Sequence, residues 1–218
     1  MPALFLSINK LMTFVIVKQT GNMDNRDKIA EYIKRTVDVP PEEAKEFSSS
    51  FTETLIKKRQ FIVQPNFPAR HRNFVVQGAF RAYVIDDKGQ DHTIAFAIDD
   101  WWITDYNSYV LQKPATMFVV ALEDSIILQI EYEKEQTLKR INHKFETFFR
   151  IRAERTAASM QQRIISNLTQ SAEERYDSFI ERYPLIAQKV PQYALASYLG
   201  MTTEFLSRIK NRKTHKKS

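Results

Sequence analysis

Cysteine is absent from the 218 residues, and that single absence removes several classes of function. Without thiols there is no disulfide, no thiolate-bound zinc and no cysteine-ligated iron–sulfur cluster. The absence also fits a reducing compartment, and a cytoplasmic location is expected. Histidine is scarce too: His71, His92, His143 and His215 are scattered, without metal-ligand spacing. Neither a His-x-His pattern nor a nucleophile arrangement stands out, so catalysis is not expected and no cofactor is assigned. Glycine (4) and proline (8) are too few for low-complexity or collagen-like sequence. No segment has the length of uninterrupted apolar sequence that a membrane span needs. The most apolar stretch, MPALFLSINKLMTFVIVKQT, is interrupted by Lys10 and lacks the cleavage pattern of a secretory signal. Composition changes sharply at GNMDNRDK, which makes Met23 the expected natural start.

Aromatic residues, by contrast, are generous, with 15 Phe and 9 Tyr, which suits a sheet-rich core. The net charge of +6 permits nucleic-acid binding without specifying it. Its placement says more. From Arg208 to Ser218 there are six basic residues and no acid: Arg208, Lys210, Arg212, Lys213, Lys216 and Lys217. Such a tail is either a solubilising terminus or a set of phosphate contacts.

Residues 27–35 read as a short helix with Ile29, Tyr32 and Ile33 on one side. VPPEE starts another, with Pro41 at its first position and Glu42 and Glu43 in its first turn. A strand-rich region follows. Asp86-Asp87-Lys88-Gly89 reads as a turn between two strands, flanked by Phe80, Tyr83 and Ile85 on one side and by Thr93, Ala95 and Ala97 on the other. Gly78 marks a place where a β-carbon would clash or φ is positive. TMFVVALEDSIILQIEYEK reads as two further strands around Glu123-Asp124-Ser125. Several short strands in succession argue for a sandwich or barrel.

After residue 135 the apolar period changes from two to about 3.6. Ile141, Phe145, Phe148, Phe149, Ala153, Ala157, Met160, Ile164 and Leu168 recur at helical spacing. A helix over 141–168 would be roughly 42 Å long, too long for one small domain to bury. Pairing with a second chain is one use of its stripe, and packing within the monomer is the other. The expected dimer-helix residues are Phe145, Phe149, Ala153, Ala157, Met160 and Ile164. SAEERYDSFIERYP then opens a helix on a capping box of Ser171 and Glu174.

The segment PQYALASYLGMTTEFLSRIKNRK holds two short helical patterns around Gly200. The first runs over about 192–199 and packs through Ala194, Leu195, Tyr198 and Leu199. Thr202 is a suitable N-cap for the second, which runs to about Asn211 with Phe205, Leu206 and Ile209 inward. Two helices around a short glycine turn are either a helix-turn-helix or a hairpin with an incidental basic face. In the first case the second helix enters the major groove. Arg208 can then bond guanine in two places, and Glu204 can accept from cytosine or orient Arg208.

The order of these parts resembles the Crp/Fnr family of bacterial transcription regulators over about residues 27–212. The segments FVVQGAFRAYVIDDKGQ, FVVALEDS, SAEERYDSFIERYP and YLGMTTEFLSRI carry the resemblance, in the manner of a Bacteroidetes-type branch. It implies an α+β chain. Residues 24–140 would form a double-stranded β-helix (jelly roll) of the cyclic-nucleotide-binding type, 141–170 a dimerisation helix, and 171–218 a helix-turn-helix domain. It also implies a homodimer on a palindromic double-stranded DNA site. Thr203, Glu204 and Arg208 match the base-reading positions. Thr202, Ser207, Lys210, Arg212 and Lys213 are assigned to phosphates.

Two departures matter. The family's β-hairpin wing has no counterpart before Ser218, and the basic tail is expected to supply backbone contacts instead. The second concerns the effector. Pro114-Ala115-Thr116 falls near the family's phosphate cassette without its arginine, and no Gly-Glu pair precedes it. A buried phosphate would lack a cationic partner, so cyclic AMP is not the expected effector. Trp102, Asp105, Tyr106 and Thr116 are candidate contacts for some other small molecule, or anchors of the core and its loops. The competing function is a ligand-binding roll whose helices serve only assembly.

Overall fold

A computed structural model describes residues 24–215. The apolar N-terminal stretch, the expected start at Met23 and the tail lysines Lys216 and Lys217 lie outside the described residues. Two helices come first, α1 (Asn25–Lys34) and α2 (Pro41–Ser49). Asp24 caps α1 by accepting from the Arg26 N–H, and Pro41 opens α2 where no amide partner is needed.

Strands β1 (Thr52–Ile56), β2 (Phe61–Val63), β3 (His71–Gln77), β4 (Ala79–Ile85), β5 (Asp91–Ile98), β6 (Trp102–Ile103), β7 (Phe118–Ala121) and β8 (Ser125–Glu131) follow, with helix α3 (Tyr106–Leu111) between β6 and β7. They form two four-stranded antiparallel sheets, ordered β1-β8-β3-β6 and β2-β7-β4-β5. Between the sheets lies a core that includes Val63, Val75, Phe80, Val119 and Ile127. The outer face of the first sheet is covered as well. Phe74, Val76, Leu128 and Ile130 pack there against Ile29, Ile33, Phe47 and Phe148. Buried on both faces, the centre of β3 is nearly continuous in apolar residues, Phe74-Val75-Val76, instead of alternating.

Three local expectations are refined. The Asp86–Gly89 turn is a hairpin: the Asp86 carboxylate accepts from the Lys88 and Gln90 amides, both at 2.9 Å, and Gly89 has φ +80°. The strands that flank the turn pair as β4 and β5 with one register shift: Ala82 faces Ala95 and Tyr83 faces Thr93, which leaves Ile94 as an extra residue in β5. One inserted residue reverses the side that each later residue of its strand faces. The Glu123–Ser125 turn joins β7 to β8, which lie in different sheets, so it is a corner and no hairpin.

Helix α4 (Tyr132–Ile141) begins directly after β8, and Asn142 separates it from α5 (His143–Thr169). Asn142 caps α5 by accepting from the Lys144 N–H at 2.9 Å, and its amide donates to Glu43 at 3.0 Å. The 27-residue α5 spans roughly 40 Å. Helices α6 (Ala172–Arg182), α7 (Pro184–Lys189), α8 (Gln192–Tyr198) and α9 (Thr203–His215) complete the chain. Phe179, Ile186, Val190, Leu195 and Leu206 make a third core, which also takes in Ala79, Phe96 and Ile98 of the second sheet. Among the described residues no helix is long and apolar enough to cross a membrane.

Candidate nucleic-acid interface

Helix α8 ends in a hydrogen-bond pattern that requires the glycine. Gly200 has φ +67°, its N–H donates to the Ser197 carbonyl at 3.2 Å, and the Met201 N–H donates to the Ala196 carbonyl at 3.0 Å. These two bonds form the Schellman motif, for which a residue in the left-handed region is needed. Two residues later Thr202 caps α9. Its hydroxyl accepts from the Phe205 N–H at 3.2 Å and its carbonyl from the Leu206 N–H at 3.0 Å. Leu206 and Ile209, one turn apart, are buried. The opposite face of α9 is thereby set outward. Glu204, Arg208, Lys210 and Arg212 are exposed, as is Thr202, while Thr203, Ser207 and Lys213 are half-buried. α9 extends a turn beyond the expected end at Asn211.

At the amino end of this face, the Glu204 carboxyl is held below the usual carboxylate range by its own backbone N–H, the Thr202 hydroxyl and the Arg208 charge. It is therefore ionised at neutral pH. The Arg208 guanidinium lies 5.3 Å from the Phe205 ring centre. The partly buried Phe205 thus supports Arg208 from beneath instead of entering the core. The expected phosphate contacts divide. Ser207 accepts a hydrogen bond from the Gln192 side chain. Arg212 pairs with Glu173, and Lys213 with Asp177 at 2.6 Å, so both lean toward α6. These pairs are exposed, and such pairs contribute about 0–1 kcal/mol, little enough for a phosphate to replace.

Arg175 is central here, yet nothing in the sequence singled it out. Its Nε donates to the Leu199 carbonyl at 2.9 Å and its Nη1 to the Gln170 carbonyl at 2.7 Å. One guanidinium thus satisfies the carboxyl ends of both α8 and α5. In sequence it reads as one more charge on the solvent side of α6.

The long helix carries a correction. Phe145 and Phe149 are buried against α2 with ring centres 5.3 and 5.7 Å from Phe47, so they cannot face a partner. The stripe available on α5 begins at Ala153 and continues through Ala157 to Met160 (52% exposed), Ile164 (60%) and Leu168 (80%).

The four candidate effector contacts also turn out to have other partners. Asp105 is fully buried, caps α3 through the Ser108 N–H at 3.0 Å, and accepts from the Thr116 N–H at 2.7 Å and the Met117 N–H at 3.3 Å. Thr116 is thus bound to Asp105, also through its hydroxyl. Trp102 lies among Tyr32, Phe51, Phe74 and Phe148, outside the space between the sheets. Tyr106 lies against the Arg72 guanidinium at 5.3 Å. That guanidinium is committed to the fully buried Glu135, with Nη2 donating at 2.9 Å and Nε 2.8 Å away. Glu135 also accepts from the Tyr109 hydroxyl at 2.9 Å. Burial, reinforced by the Glu135 charge, pushes the Tyr109 phenol far up, so it stays the neutral donor. These contacts are internal, although among the described residues the buried Trp102 Nε1 and Arg72 Nε have no hydrogen-bond acceptor. A cleft of about 450 Å³ lies elsewhere, along Phe61, Val63, Gln64, Phe67 and Pro68. Among the described residues no cluster of histidine and acidic side chains could hold a metal.

No known family profile matches the chain, and no curated protein matches it by sequence. Solved structures do match in fold. The c-di-GMP-responsive global regulator CLP of Xanthomonas campestris aligns over 81% of this chain and 93% of its own, with TM-score 0.66 at 10% identity. FixK2 from Bradyrhizobium japonicum aligns over 76% and 85%, with TM-score 0.65 at 17% identity. A protein from Eubacterium rectale, described as a Crp/Fnr-family transcriptional regulator, aligns over 82% and 85%, with TM-score 0.62 at 18% identity. The chain has the Crp/Fnr regulator fold. Within that fold α1 and α2 precede the sheets, the long helix follows them, and the α8–α9 pair lies at the carboxyl end of the described residues.

Proposed function

We propose that this protein is a non-catalytic, DNA-binding transcription regulator of the Crp/Fnr type. It acts in the cytoplasm as a homodimer that reads a palindromic duplex through α9. One observation carries the reading: α9 buries Leu206 and Ile209 while presenting Glu204 and Arg208 on its exposed amino half. This supports reading α9 as a recognition helix, with α8 as the first helix of a helix-turn-helix. Arg208 would bond guanine, Glu204 would accept from cytosine or hold Arg208, and Thr203 lies beside them. Thr202, Ser207 and Lys210 would contact phosphates, joined by Arg212 and Lys213 once released from α6. The strand orders support reading the two sheets as a jelly roll. The stripe from Ala153 to Leu168 supports the dimer. The assignment to a Bacteroidetes-type branch rests on the quoted segments alone. No effector is assigned, and the cassette without its arginine argues against cyclic AMP.

The test is selection of duplexes from a random pool at fixed salt, with the wild type and Arg208→Ala in parallel. The wild type should recover a palindrome, and Arg208→Ala should bind it about 5- to 150-fold more weakly, since removing a bidentate base contact costs about 1–3 kcal/mol. Equal selection by both proteins would remove Arg208 from base reading. Failure of both would reject α9 as a reader.

A further inference from the structure

The chain has only two tryptophans, and they are adjacent. Trp102 packs into the core shared by α1, α2, α5 and the outer face of the first sheet. Trp101 borders two others, the core between the sheets and the core of α6–α9. Its ring meets Tyr183, the residue between α6 and α7, edge-on at 5.5 Å. Its backbone is fixed, since its carbonyl accepts from the Val75 N–H at 2.8 Å and its N–H donates to the Ile98 carbonyl at 3.0 Å. The preceding residues bind both sides. Asp99 accepts from the Gly78 N–H at 2.9 Å and from Lys189, at the end of α7, at 3.3 Å. Lys189 also reaches Glu123 at 3.0 Å. Four residues thus connect three cores.

A second contact lies at the edge of the second sheet. β5 pairs only with β4. On its other side the Thr93 N–H donates to the Ser197 hydroxyl at 2.8 Å, and that hydroxyl donates to the Asp91 carbonyl at 3.2 Å. Arg163 of α5 donates to the Ile94 carbonyl, and its guanidinium lies 4.5 Å from the Tyr198 ring centre. α8 therefore lies on an open strand edge through a few polar bonds, which water can replace, and through the Phe96 ring, whose centre is 5.3 Å from that of Tyr198. The Lys189 pairs are partly exposed and weak. The Trp101 ring against Tyr183 and the Phe96 ring against Tyr198 are the large apolar contacts at the sheet-to-helix junction. Trp101 is the one that also borders the core between the sheets, and ring burial contributes far more than exposed pairs.

We propose that Trp101, with Asp99 and Lys189, is the joint that sets the orientation of α6–α9 on the sheets, so that a change in the 99–102 loop reaches α9. The joint holds α9 with Glu204 and Arg208 exposed, and so favours binding by reducing the orientational freedom lost on a duplex. The duplex arm of the test rests on the function proposed above; the other arms do not.

The experiment uses the full chain with Trp101→Ala, Trp101→Phe and the surface variant Lys189→Glu. The last sets a like charge against Asp99 and Glu123. Cleavage between residues 169 and 192 by a broad-specificity protease should rise about ten-fold in Trp101→Ala and several-fold in Lys189→Glu, and stay near wild type in Trp101→Phe. Trp102→Phe leaves Trp101 as the sole tryptophan, excited selectively over the tyrosines, and adding Lys189→Glu should shift its emission to the red. Affinity for the selected duplex should fall about ten-fold in Trp101→Ala and be largely restored in Trp101→Phe. Wild-type cleavage and unshifted emission in Lys189→Glu overturn the joint, even if Trp101→Ala fails to fold. Faster cleavage with tighter duplex binding overturns its direction. If the wild type selects no duplex, the regulator reading fails, and cleavage and emission still decide the joint.

Discussion

At the scale of single residues, polar groups buried without solvent have the sharpest consequences. Asp105 serves three backbone amides while fully buried. Asp105→Ala leaves them unpaired, and at about 1–3 kcal/mol for each buried unsatisfied group the loss should be at least about 3 kcal/mol. A lowered urea midpoint with an unchanged slope would report it, and a loss below about 1 kcal/mol, the floor for a single such group, would count against this reading. Gly78 is a second sensitive position. A β-carbon there would lie 2.1 Å from Ser125 Oγ at φ +125°. Gly78→Ala should cost about 2–4 kcal/mol through strain and overlap together, read as a fall in melting temperature. Asp100 is the opposite case. It has φ +66°, and burial pushes its carboxyl up against the charges of Lys28 and Arg35. Between the unfolded value of about 3.9 and the raised folded value, the native chain holds the extra proton. Stability from this group therefore falls as pH rises through that window. Asparagine tolerates the same backbone and carries no charge. Asp100→Asn should raise stability at pH 7 and lose that advantage near pH 3.5, as urea titrations at the two values would measure. Gly78 was legible in the sequence as a glycine among strand residues. Asp105 and Thr116 were legible together as effector contacts or loop anchors, and they bind each other. The bond from Met117 was not legible, because the two residues meet through folding and share no local pattern.

Among the elements, α5 shows what periodicity can and cannot say. Its apolar positions recur from Phe145 to Leu168, and the spacing is the same throughout. The lower part is buried by Phe47 and Tyr32 of the same chain, and the upper part stays largely exposed among the described residues, from Met160 at 52% to Leu168 at 80%. A helical repeat marks a face, and which body covers that face depends on where α2 lies, set by contacts far apart in sequence. Phe149→Asp would consequently damage the fold of the monomer and leave the interface untested. Ile164→Asp is the informative change. It places a charge at the centre of the exposed stripe and removes no intramolecular core. Sedimentation should find the dimer dissociation constant raised at least 100-fold, about 2.7 kcal/mol by the tenfold-per-1.4 relation, with the melting of the sheets little altered. A dimer that survives Ile164→Asp would place the contact elsewhere. The α8–α9 pair was more legible, since Gly200, Thr202 and the apolar positions fix it locally. Arg175 was not, because bonding two helix ends is a property of their meeting.

For the whole molecule, the question is how a chain with net charge +6 distributes its basic residues between holding itself together and reaching a partner. The run after Arg208 read in sequence as uniformly available, because its acidic partners lie on another helix. Arg212 and Lys213 each have one, Glu173 and Asp177, some three dozen positions earlier in the chain. In the proposed function, duplex binding through these residues would be an exchange of one anion for another. The carboxylates lower the gain, and phosphates supply the release of condensed counterions that drives association. Neutralising Glu173→Gln and Asp177→Asn together should therefore strengthen binding to specific and non-specific duplexes by a similar factor, several-fold at about 0.1 M salt, because no base is read by these residues. Arg212→Ala with Lys213→Ala should do the reverse. It should weaken all sequences alike and reduce the slope of log affinity against log salt by about 0.9 for each phosphate that is no longer neutralised. A dimer engaging both residues on both half-sites would thus show a slope smaller by about 3–4. Arg208→Ala should change which sequence is preferred far more than it changes that slope. If the Arg212 and Lys213 changes leave the slope as it was, these two residues belong to the fold alone, and the phosphate contacts must come from Thr202, Ser207 and Lys210.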